Sequence, residues 1–431
     1  MNLQQVMDHA LQGLKNTGAQ QYSCQAQESQ KREFNVDGGL FSLLRTTLDR
    51  SLSLTLILDG RRGKVAVNDF TPQSVDGAVQ DCLAAAQSAQ PDEAWQMDAG
   101  AQRSFVLGVP EGDMDGLFHR TKELLLDIKR DYPKVMLEQM YVSHTRAQAL
   151  YQNSLGARYD TLEGAYSASL MFSAHEEDKT SSFNGGGFTT TSLDQPLIEL
   201  SSLRQTLADA QNQIHTVSPE GKYTGTVVFT PDCAGGYILP DLLGNYVADG
   251  ALLEGTSPWK NRLGEQVVDK GLTIAFNPHA EEIVCGERYT ADGRLSRDYA
   301  VIENGVLKQF MLGDYAARKL GRTPAPNSSG SMMVKPGTRK LQDIIAGIDR
   351  GLLVSRFSGG QPSSSGEFSG VAKNSFLIEK GKVTQAVAET MISGNLGDML
   401  NHVRGISQET VRDGNSVVPW IAVDGIVISG K

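Results

Sequence analysis

Hydrophobic and polar positions alternate with two different periods along the first third of the chain. The apolar residues of "MNLQQVMDHALQGLKNTG" recur at i, i+3, i+4 and i+7, the stripe of an amphipathic helix that ends at Gly18. In "SLSLTLILDGRRGKVAVNDF" apolar residues alternate with polar ones on both sides of an Asp59-Gly60 turn, which predicts two strands. Thr71 and Pro72 then form an N-cap pair that predicts a helix to about Ala89.

The same alternation of helix and strand patterns continues to a polar segment near residue 217. A second helix is predicted over about 114–130, followed by strand-like segments up to about 176, whereas "SSFNGGGFTTTS" predicts a flexible turn. "TVSPEGKYTG" is typical of a linker, and the chain beyond it is rich in strand patterns. We therefore predict an α+β fold, with an N-terminal helix-and-sheet region at 1–217 and a β-rich C-terminal domain at 218–431.

Five segments of the second region have distinct patterns. "VIENGVLKQ" and "LIEKGKVTQ" each place a turn between two short strands and predict hairpins, and "VVPWIAVDGIVISGK" predicts another with its turn at Asp424-Gly425. "FSGGQPSSSGEFSG" predicts a loop. "GGYILPDLLGNYVADG" predicts a helix that begins near Pro240, although its polar positions Asp241, Asn245 and Asp249 include no strong pair of metal ligands.

Charge and cysteine content narrow the classes of function. The net charge is −10 and the basic residues form no stripe, so we expect no direct contact with nucleic acid. The cysteines are widely spaced and lack a CxxC pair, which favours free thiols in a reducing cytosol. The N-terminus lacks a secretory pattern and no apolar run reaches membrane-spanning length. We expect a cytoplasmic protein without a membrane partner.

Motifs that would identify a catalytic centre are missing or weak. The sequence has neither the GxSxG elbow of a serine hydrolase nor a GxxxxGK[ST] phosphate loop. "HEED" places His175 beside three carboxylates, and "HAEEIVC" places His279 near two glutamates and Cys285. Either segment could bind a cation, but neither supplies a second histidine nearby, so a solvated loop is the more typical interpretation.

Several longer strings resemble a known family. "SPWKNRLGEQVVDKGLTI", "IENGVLKQFMLGDYAARKLG", "GEFSGVAKNSFLIEKGKV" and "GNSVVPWIAVDGIVISG" look like the TldD/PmbA family, also labelled modulator of DNA gyrase, and the chain is similar to its PmbA branch, also called TldE. The resemblance implies a cytosolic zinc metalloprotease in which a TldD subunit and a TldE subunit act together on unfolded polypeptides. In that family only the TldD subunit carries zinc, on an HExxxH helix and a cysteine near the C-terminus.

The resemblance also implies where the zinc ligands are missing from this chain. Counting back from the "RLGE" string without a gap, the first family histidine falls on Pro240, the glutamate on Asp241 and the second histidine on Asn245. The family cysteine falls near Thr410, and no cysteine follows Cys285. Proline has no donor atom and an amide is a poor zinc ligand. We therefore expect no catalytic residue, no metal ligand and no cofactor in this chain, with zinc in a TldD-type partner.

Three functions follow from these observations. The first is a non-zinc subunit of a TldD–TldE-type protease, which shapes a cleft and guides unfolded polypeptide toward its TldD-type partner, and which can form a homodimer when alone. The alternative is a non-enzymatic interaction protein that modulates gyrase or a toxin–antitoxin pair. The third is a peptidase that binds metal through His175 or His279. Activity with and without the partner distinguishes the first two.

Direct binding to DNA is expected to be negligible at physiological salt. A net charge of −10 without a basic patch repels phosphate, so a labelled duplex should show no submicromolar binding in fluorescence anisotropy. Tight binding that weakens steeply as salt is raised would contradict this expectation.

Overall fold

The computed structural model describes residues 1–388 and 390–430, and the strands of its first region form one sheet. The elements of this region are α1 (Leu3–Asn16), β1 (Gln21–Asp37), β2 (Leu40–Leu58), β3 (Arg61–Val67), α2 (Pro72–Ser88), β4 (Gln102–Gly108), α3 (Met114–Asp131), β5 (Val135–Asn153), β6 (Arg158–Glu176), β7 (Lys179–Thr180), β8 (Asn184–Thr190), a 3-10 helix (Leu197–Glu199) and α4 (Leu203–Asn212). The eight described strands have the order β3-β2-β1-β5-β6-β4, with β7 and β8 also paired to β6.

The helices of the first region are fixed by their caps and by their apolar faces. Asn2 forms a capping box with Gln5 at the start of α1, and Thr71 caps α2 with Pro72 in its first turn. The apolar faces of α1 and α2 pack against β1 and β2 in one buried cluster. Those of α3 and α4 pack against β5, β6 and β8 in a second cluster. The predicted helices of this region are therefore confirmed, apart from small differences at their ends.

The strands of the second region form another sheet. Its elements are β9 (Thr216–Val217), β10 (Lys222–Phe229), α5 (Pro231–Cys233), a π-helical turn (Ala234–Ile238), α6 (Leu239–Tyr246), α7 (Asp249–Leu253), β11 (Ile274–Phe276), β12 (Tyr299–Glu303), β13 (Val306–Leu307), α8 (Asp314–Lys319), β14 (Met332–Val334), α9 (Leu341–Ala346), β15 (Arg350–Val354), β16 (Arg356–Gly359), β17 (Glu367–Lys373), β18 (Phe376–Glu379), β19 (Lys382–Val387), β20 (Thr390–Asn395), α10 (Leu396–Met399), β21 (Val403–Arg412) and β22 (Val417–Ser429).

Strand β22 is the centre of the second sheet. The described order is β13-β12-β11-β14-β22-β10-β15-β18-β19-β9, and β20 and β21 also pair with β22. Most side chains of β22 are buried, and those of Val418, Ile421, Val423, Ile426 and Ile428 belong to the largest described apolar cluster. The predicted α+β class with a strand-rich second half is confirmed. The division at 217/218 stays a prediction, although β9 already pairs with β19 of the second sheet.

The predicted flexible turn in "SSFNGGGFTTTS" is wrong, because part of this segment is strand β8. It pairs antiparallel with β6 from Asn184↔Phe172 to Thr190↔Tyr166. A Cβ atom added at Gly185 or Gly187 would lie 2.9 or 2.8 Å from a carbonyl oxygen of β6, so the missing side chains allow this close approach. The glycine-rich composition predicted a turn, but here the glycines allow two strands to lie close together.

Two predictions of the second region are also corrected. The closing segment is one strand rather than a hairpin, because Asp424 and Gly425 form a bulge opposite Thr226, whose hydroxyl donates to Asp424 over 2.6 Å. The segment predicted as a loop supplies the paired strands β16 and β17 on either side of a shorter connection. The helix expected to begin near Pro240 is confirmed as α6, which begins at Leu239 and continues a helical segment that starts at Pro231. Both hairpins predicted at 301–309 and 377–385 are confirmed.

The two sheets are joined by aromatic and ionic contacts. The ring of Trp95 stacks on Tyr315 of α8 with 3.8 Å between centroids, and the Tyr315 hydroxyl donates to Asp92 over 2.9 Å. Tyr159 of β6 stacks on Tyr289 with 4.3 Å between centroids. These contacts attach the second region to the first. Within the described ranges, no helix combines the length and apolar character needed to cross a membrane.

Candidate functional site

The first part of the candidate site is the helical segment from Pro231 to Tyr246. Thr230 caps it by accepting from the backbone of Cys233 over 3.4 Å, and Pro231 occupies the first turn. The turn over Ala234–Ile238 is π-helical, with Leu239 N–H bonded to the carbonyl of Ala234. A proline inside a helix crowds the carbonyl four residues earlier and has no N–H. The wider turn therefore lets Pro240 sit inside a continuous helical segment.

The positions expected to replace the family's ligands face different surroundings on α6. Pro240 is exposed, whereas Asp241 and Asn245 are half-buried. The Asn245 amide donates from Nδ2 to the backbone carbonyl of Asp241 over 2.9 Å. Burial raises the pKa of the Asp241 carboxyl group. The opposite face of α6, with Leu239, Leu242 and Tyr246, is packed into the main core.

Thr410 lies on β21, opposite Pro419 of β22, at the end of an irregular stretch of pairing. Ser407 stabilises this irregular pairing. Its buried hydroxyl donates to the Glu409 carbonyl over 2.7 Å and accepts from Trp420 N–H over 2.9 Å. No hydrogen bond between described residues joins Thr410 to Pro240, Asp241 or Asn245. The assignment of these four positions to lost ligands stays a prediction.

Two hollows meet at the N-terminus of this helical segment, and together they form a trough between the two sheets. One has a volume of about 700 Å³ and is bordered by the β1–β2 hairpin, β8 and the turn before β22. The other has a volume of about 1350 Å³ and lies between β8, α4, β15, β19 and Trp420. Both include Pro231 and Asp232 in their walls. We name this continuous space the trough.

Two carboxylates of the trough have perturbed proton affinities. Burial raises the pKa of Asp209 on α4 to about 6, an effect opposed by the Gln205 amide, which donates to it over 2.7 Å, and reinforced by the charge of Asp232. Asp232 is open to solvent on one side, yet loss of solvation also raises its pKa, as does the charge of Asp413. This part of the trough is therefore electronegative and favours cationic groups.

A different charge arrangement borders the smaller hollow. Glu33 of β1 is 1% exposed and is paired with Lys31 and with Arg45, the latter over 2.8 Å to its Nη2 atom. The two cations neutralise the buried carboxylate and leave their own side chains partly in solvent. The trough is thus lined by carboxylates at one end and by a partly exposed cationic pair at the other.

Strand β8 offers a backbone edge to the trough. It is paired with β6 along one side, and no described strand pairs with its other side. Near its end, Thr189 N–H donates to the carbonyl of Asp413 over 2.7 Å, and Gly185 N–H donates to the Asn184 side-chain oxygen over 3.2 Å, so the free part of the edge lies around Gly187. Free N–H and C=O groups on an edge strand can pair with an extended peptide.

The two histidine motifs do not form metal centres in the described structure. His175 hydrogen-bonds with the Ser173 hydroxyl over 2.8 Å, while the adjacent Glu176 is bonded to His215 over 2.7 Å. His279 lies 3.6 Å from Asp298. Among residues 1–388 and 390–430, no group of three or more His, Cys, Asp or Glu side chains is arranged to hold a metal ion.

Sequence patterns did not reveal the trough residues. Asp209 occupies an ordinary polar position of an amphipathic helix, and Asp232 follows a helix-capping Thr-Pro pair. Only the folded chain brings α4 next to α5, so neither spacing nor composition identified their proximity. The Gly185–Gly187 run was the one available indication, and it was interpreted as a turn.

The second region matches a known family model. Residues 220–430 match the PmbA/TldA metallopeptidase C-terminal domain. A metalloprotease PmbA homologue of Haemophilus influenzae is 24% identical, covering 95% of this chain and 89% of that protein. Metalloprotease PmbA of Escherichia coli O157:H7 is 23% identical, covering 92% and 88%. A zinc metalloprotease TldD homologue of Saccharolobus solfataricus is 26% identical over 49% of this chain and 51% of its own length.

Solved structures share the whole fold. TldE from Thermococcus kodakarensis superposes with a TM-score of 0.82 at 20% identity, covering 98% of this chain and 100% of that one. A Bacteroides thetaiotaomicron protein named as a modulator of DNA gyrase gives a TM-score of 0.82 at 21% identity, covering 100% and 98%. At these identities the likeness establishes the fold.

The raised pKa of Asp209 predicts a pH-dependent cost to stability. The folded carboxyl group keeps its proton up to about pH 6, whereas an unfolded Asp releases it near pH 4, so this group lowers stability as the pH rises through that interval. Replacing Asp209 with Asn should increase the free energy of unfolding at pH 7 by about 1–3 kcal/mol. Urea unfolding measures this value.

The matched control is Asp178→Asn, which changes an exposed carboxylate. This control should change stability by less than about 0.5 kcal/mol. A loss of stability at pH 7 in the Asp209→Asn protein would show that the carboxylate is stabilising and that the assigned sign is wrong.

Proposed function

Because the chain belongs to the PmbA/TldD family, we propose that it is the non-zinc subunit of a cytosolic TldD–TldE-type metalloprotease that degrades unfolded polypeptides and processes peptides. Its TldD-type partner supplies zinc and hydrolysis. This chain shapes the trough, holds the polypeptide and presents it to the partner. Alone, the chain forms a homodimer without peptidase activity.

The chemistry of α6 carries this proposal. Pro240 offers no donor atom to a metal, and the Asn245 amide already donates within its own helix over 2.9 Å. Asp241 retains a carboxylate, but without a metal it has no bound water to deprotonate. The residues present therefore do not fit a zinc ion of the family's type, and no hydrolytic step is assigned to them. The helix keeps its packed face, and the turns that precede it, from Pro231 to Tyr237, border the trough.

The trough supports the role in holding polypeptide. An extended segment can pair with the free edge of β8 near Gly187, while the carboxylates of Asp209 and Asp232 attract basic side chains. The two hollows, of about 700 and 1350 Å³, are far smaller than a folded domain, so an extended segment of unfolded chain is the form that can enter them. This argument favours unfolded substrates over compact ones.

A second candidate is a non-enzymatic regulatory protein acting on gyrase or on a toxin–antitoxin pair. The observation in its favour is the fold shared with the Bacteroides thetaiotaomicron protein named as a modulator of DNA gyrase. Such a protein would act by contacting another protein, since a net charge of −10 disfavours direct binding to DNA. It would leave peptidase activity of a TldD-type subunit unchanged.

The metal content of the chain tests its non-zinc role. We expect no stoichiometric zinc in the unaltered protein purified without added metal. Combining Pro240→His, Asp241→Glu, Asn245→His and Thr410→Cys should create zinc binding at about one ion per chain, because imidazole and thiolate ligands are restored. Elemental analysis and calorimetry measure both values.

The control for the restored site combines Pro240→Ala with Asn245→Ala, which removes the same side chains without adding donors. It should bind no zinc, and its thermal unfolding shows whether loss of Pro240 loosens the helix. One tightly held zinc in the unaltered chain would overturn the proposal and direct attention to His175 or His279.

Activity should depend on the partner and on the open trough. The chain mixed with a TldD-type subunit should hydrolyse an unfolded polypeptide, whereas the chain alone should not. Gly236 borders the smaller hollow and has open space around its Cα atom, so Gly236→Trp should block the trough and lower turnover at least about tenfold.

Gly244→Trp is the matched control, because Gly244 is also exposed on the helical segment, has equally open space and does not border either hollow. Its turnover should remain within about twofold of the unaltered complex. Equal turnover of all proteins, with or without this chain, would favour the regulatory alternative.

A further inference from the structure

A separate pocket lies where a loop of the second region crosses the first sheet. It has a volume of about 340 Å³ and is far smaller than the larger hollow of the trough. Its floor contains Ala147 and Ala149 of β5, whose small side chains leave space above the sheet, and its cover is the loop 285–291. We name this space the junction pocket.

Opposite charges face the junction pocket without forming an ion pair. Glu163 of β6 and Arg288 of the covering loop both border the space, and neither forms a salt bridge within the described part of the chain. Glu287 also borders it, but its carboxylate already accepts from the Ser296 hydroxyl and from Ser328 N–H. Arg288 uses its Nη1 atom to donate to the Pro278 carbonyl over 2.7 Å. Burial raises the pKa of Glu163 and lowers the pKa of Arg288. Both charged groups are therefore partly desolvated and lack full compensation.

Neutral polar groups border the same space. The hydroxyl of Thr161 is buried, belongs to a residue 8% exposed, and has no hydrogen-bond partner among the described residues. The half-buried amides of Gln25 and Gln27 also line the pocket, and the structure describes no side-chain hydrogen bond for either. A buried hydroxyl without a partner is costly, so a bound molecule that satisfied it would be favoured.

We propose that the junction pocket binds a small zwitterion, namely a free α-amino acid. Its ammonium group pairs with the Glu163 carboxylate and its carboxylate pairs with the Arg288 guanidinium. Its side chain contacts Thr161 and the neighbouring amides, which favours polar side chains. The pocket volume suits a molecule of this size and excludes a folded segment of protein.

An α-amino acid fits these observations better than a singly charged ligand. A simple anion would compensate Arg288 and leave the Glu163 carboxylate unpaired, whereas a simple cation would do the opposite. Binding would also tie the first sheet to the loop that covers it, since the two charged residues belong to different regions. The inference does not depend on the proposed protease role.

Thermal unfolding and calorimetry of the whole chain test the proposal. Each common L-amino acid is supplied alone at millimolar concentration, and at least one should raise Tm and bind with a Kd below about 1 mM. The N-acetyl and carboxamide derivatives of that amino acid, which each lack one charge, should bind at least about tenfold more weakly. Glu163→Gln should weaken binding similarly, while Glu111→Gln, whose side chain is 91% exposed, should have no effect.

Cys285 gives a second measurement that does not rely on a charge-removing variant. It borders the pocket and is partly exposed, whereas Cys24, Cys82 and Cys233 are buried. The bound amino acid should slow alkylation of Cys285 by N-ethylmaleimide at least about threefold, and Cys285→Ser identifies the labelled site. The proposal is overturned if no amino acid binds, if the N-acetyl derivative binds equally well, or if binding leaves Cys285 labelling unchanged.

Discussion

The stacking of aromatic rings between the two sheets is the interaction on which the arrangement of this protein depends. Tyr159 of the first sheet lies against Tyr289 of the second region, and its hydroxyl donates to the Gly293 carbonyl over 2.7 Å. Trp95 and Tyr315 form a further stack. Aromatic pairs of this kind contribute packing area together with a preferred ring geometry. They therefore fix the relative position of two sheets that each have their own core.

Both proposed binding spaces are consequences of that position. The trough exists because β8 and α4 of the first region face the helical segment that begins at Pro231. The junction pocket exists because the loop carrying Arg288 and Tyr289 crosses small side chains of β5. The stacked rings of Tyr159 and Tyr289 lie beside the junction pocket. This stacking therefore fixes the position of the two regions that supply the charged residues of the pocket.

Under the proposed function, the helical segment that begins beside the trough keeps a packed structure without the family's zinc ligands. Its inner face is packed with Leu239, Leu242, Leu243 and Tyr246, and large-to-small changes at such positions typically cost several kcal/mol. Its outer face carries Pro240 and Asn245, where packing imposes few demands. Packing therefore constrains the buried face of α6, whereas the exposed positions tolerate side chains that cannot bind a metal.

Local patterns determined much of the fold before any tertiary contact was considered. The amphipathic spacing and cap residues predicted α1, α2 and α3, and the turn residues predicted the hairpins around 304 and 380. These features depend on neighbours within a few residues, which is the range over which caps, turns and periodicity act. The family resemblance directed attention to Pro240, Asp241, Asn245 and Thr410, but their meaning as a former site stays a prediction.

Tertiary structure decided the features that depend on distant partners. Gly185 and Gly187 form a strand because the backbone of β6 lies where side chains would otherwise be, and the Asp424-Gly425 pair becomes a bulge because β10 continues beside it. Asp209 acquires its raised pKa from burial in the trough. Glu163 and Arg288, separated by more than a hundred residues, border the same pocket only when the two sheets join. Local sequence encodes neither burial nor long-range proximity, so these sites appear only in the folded chain.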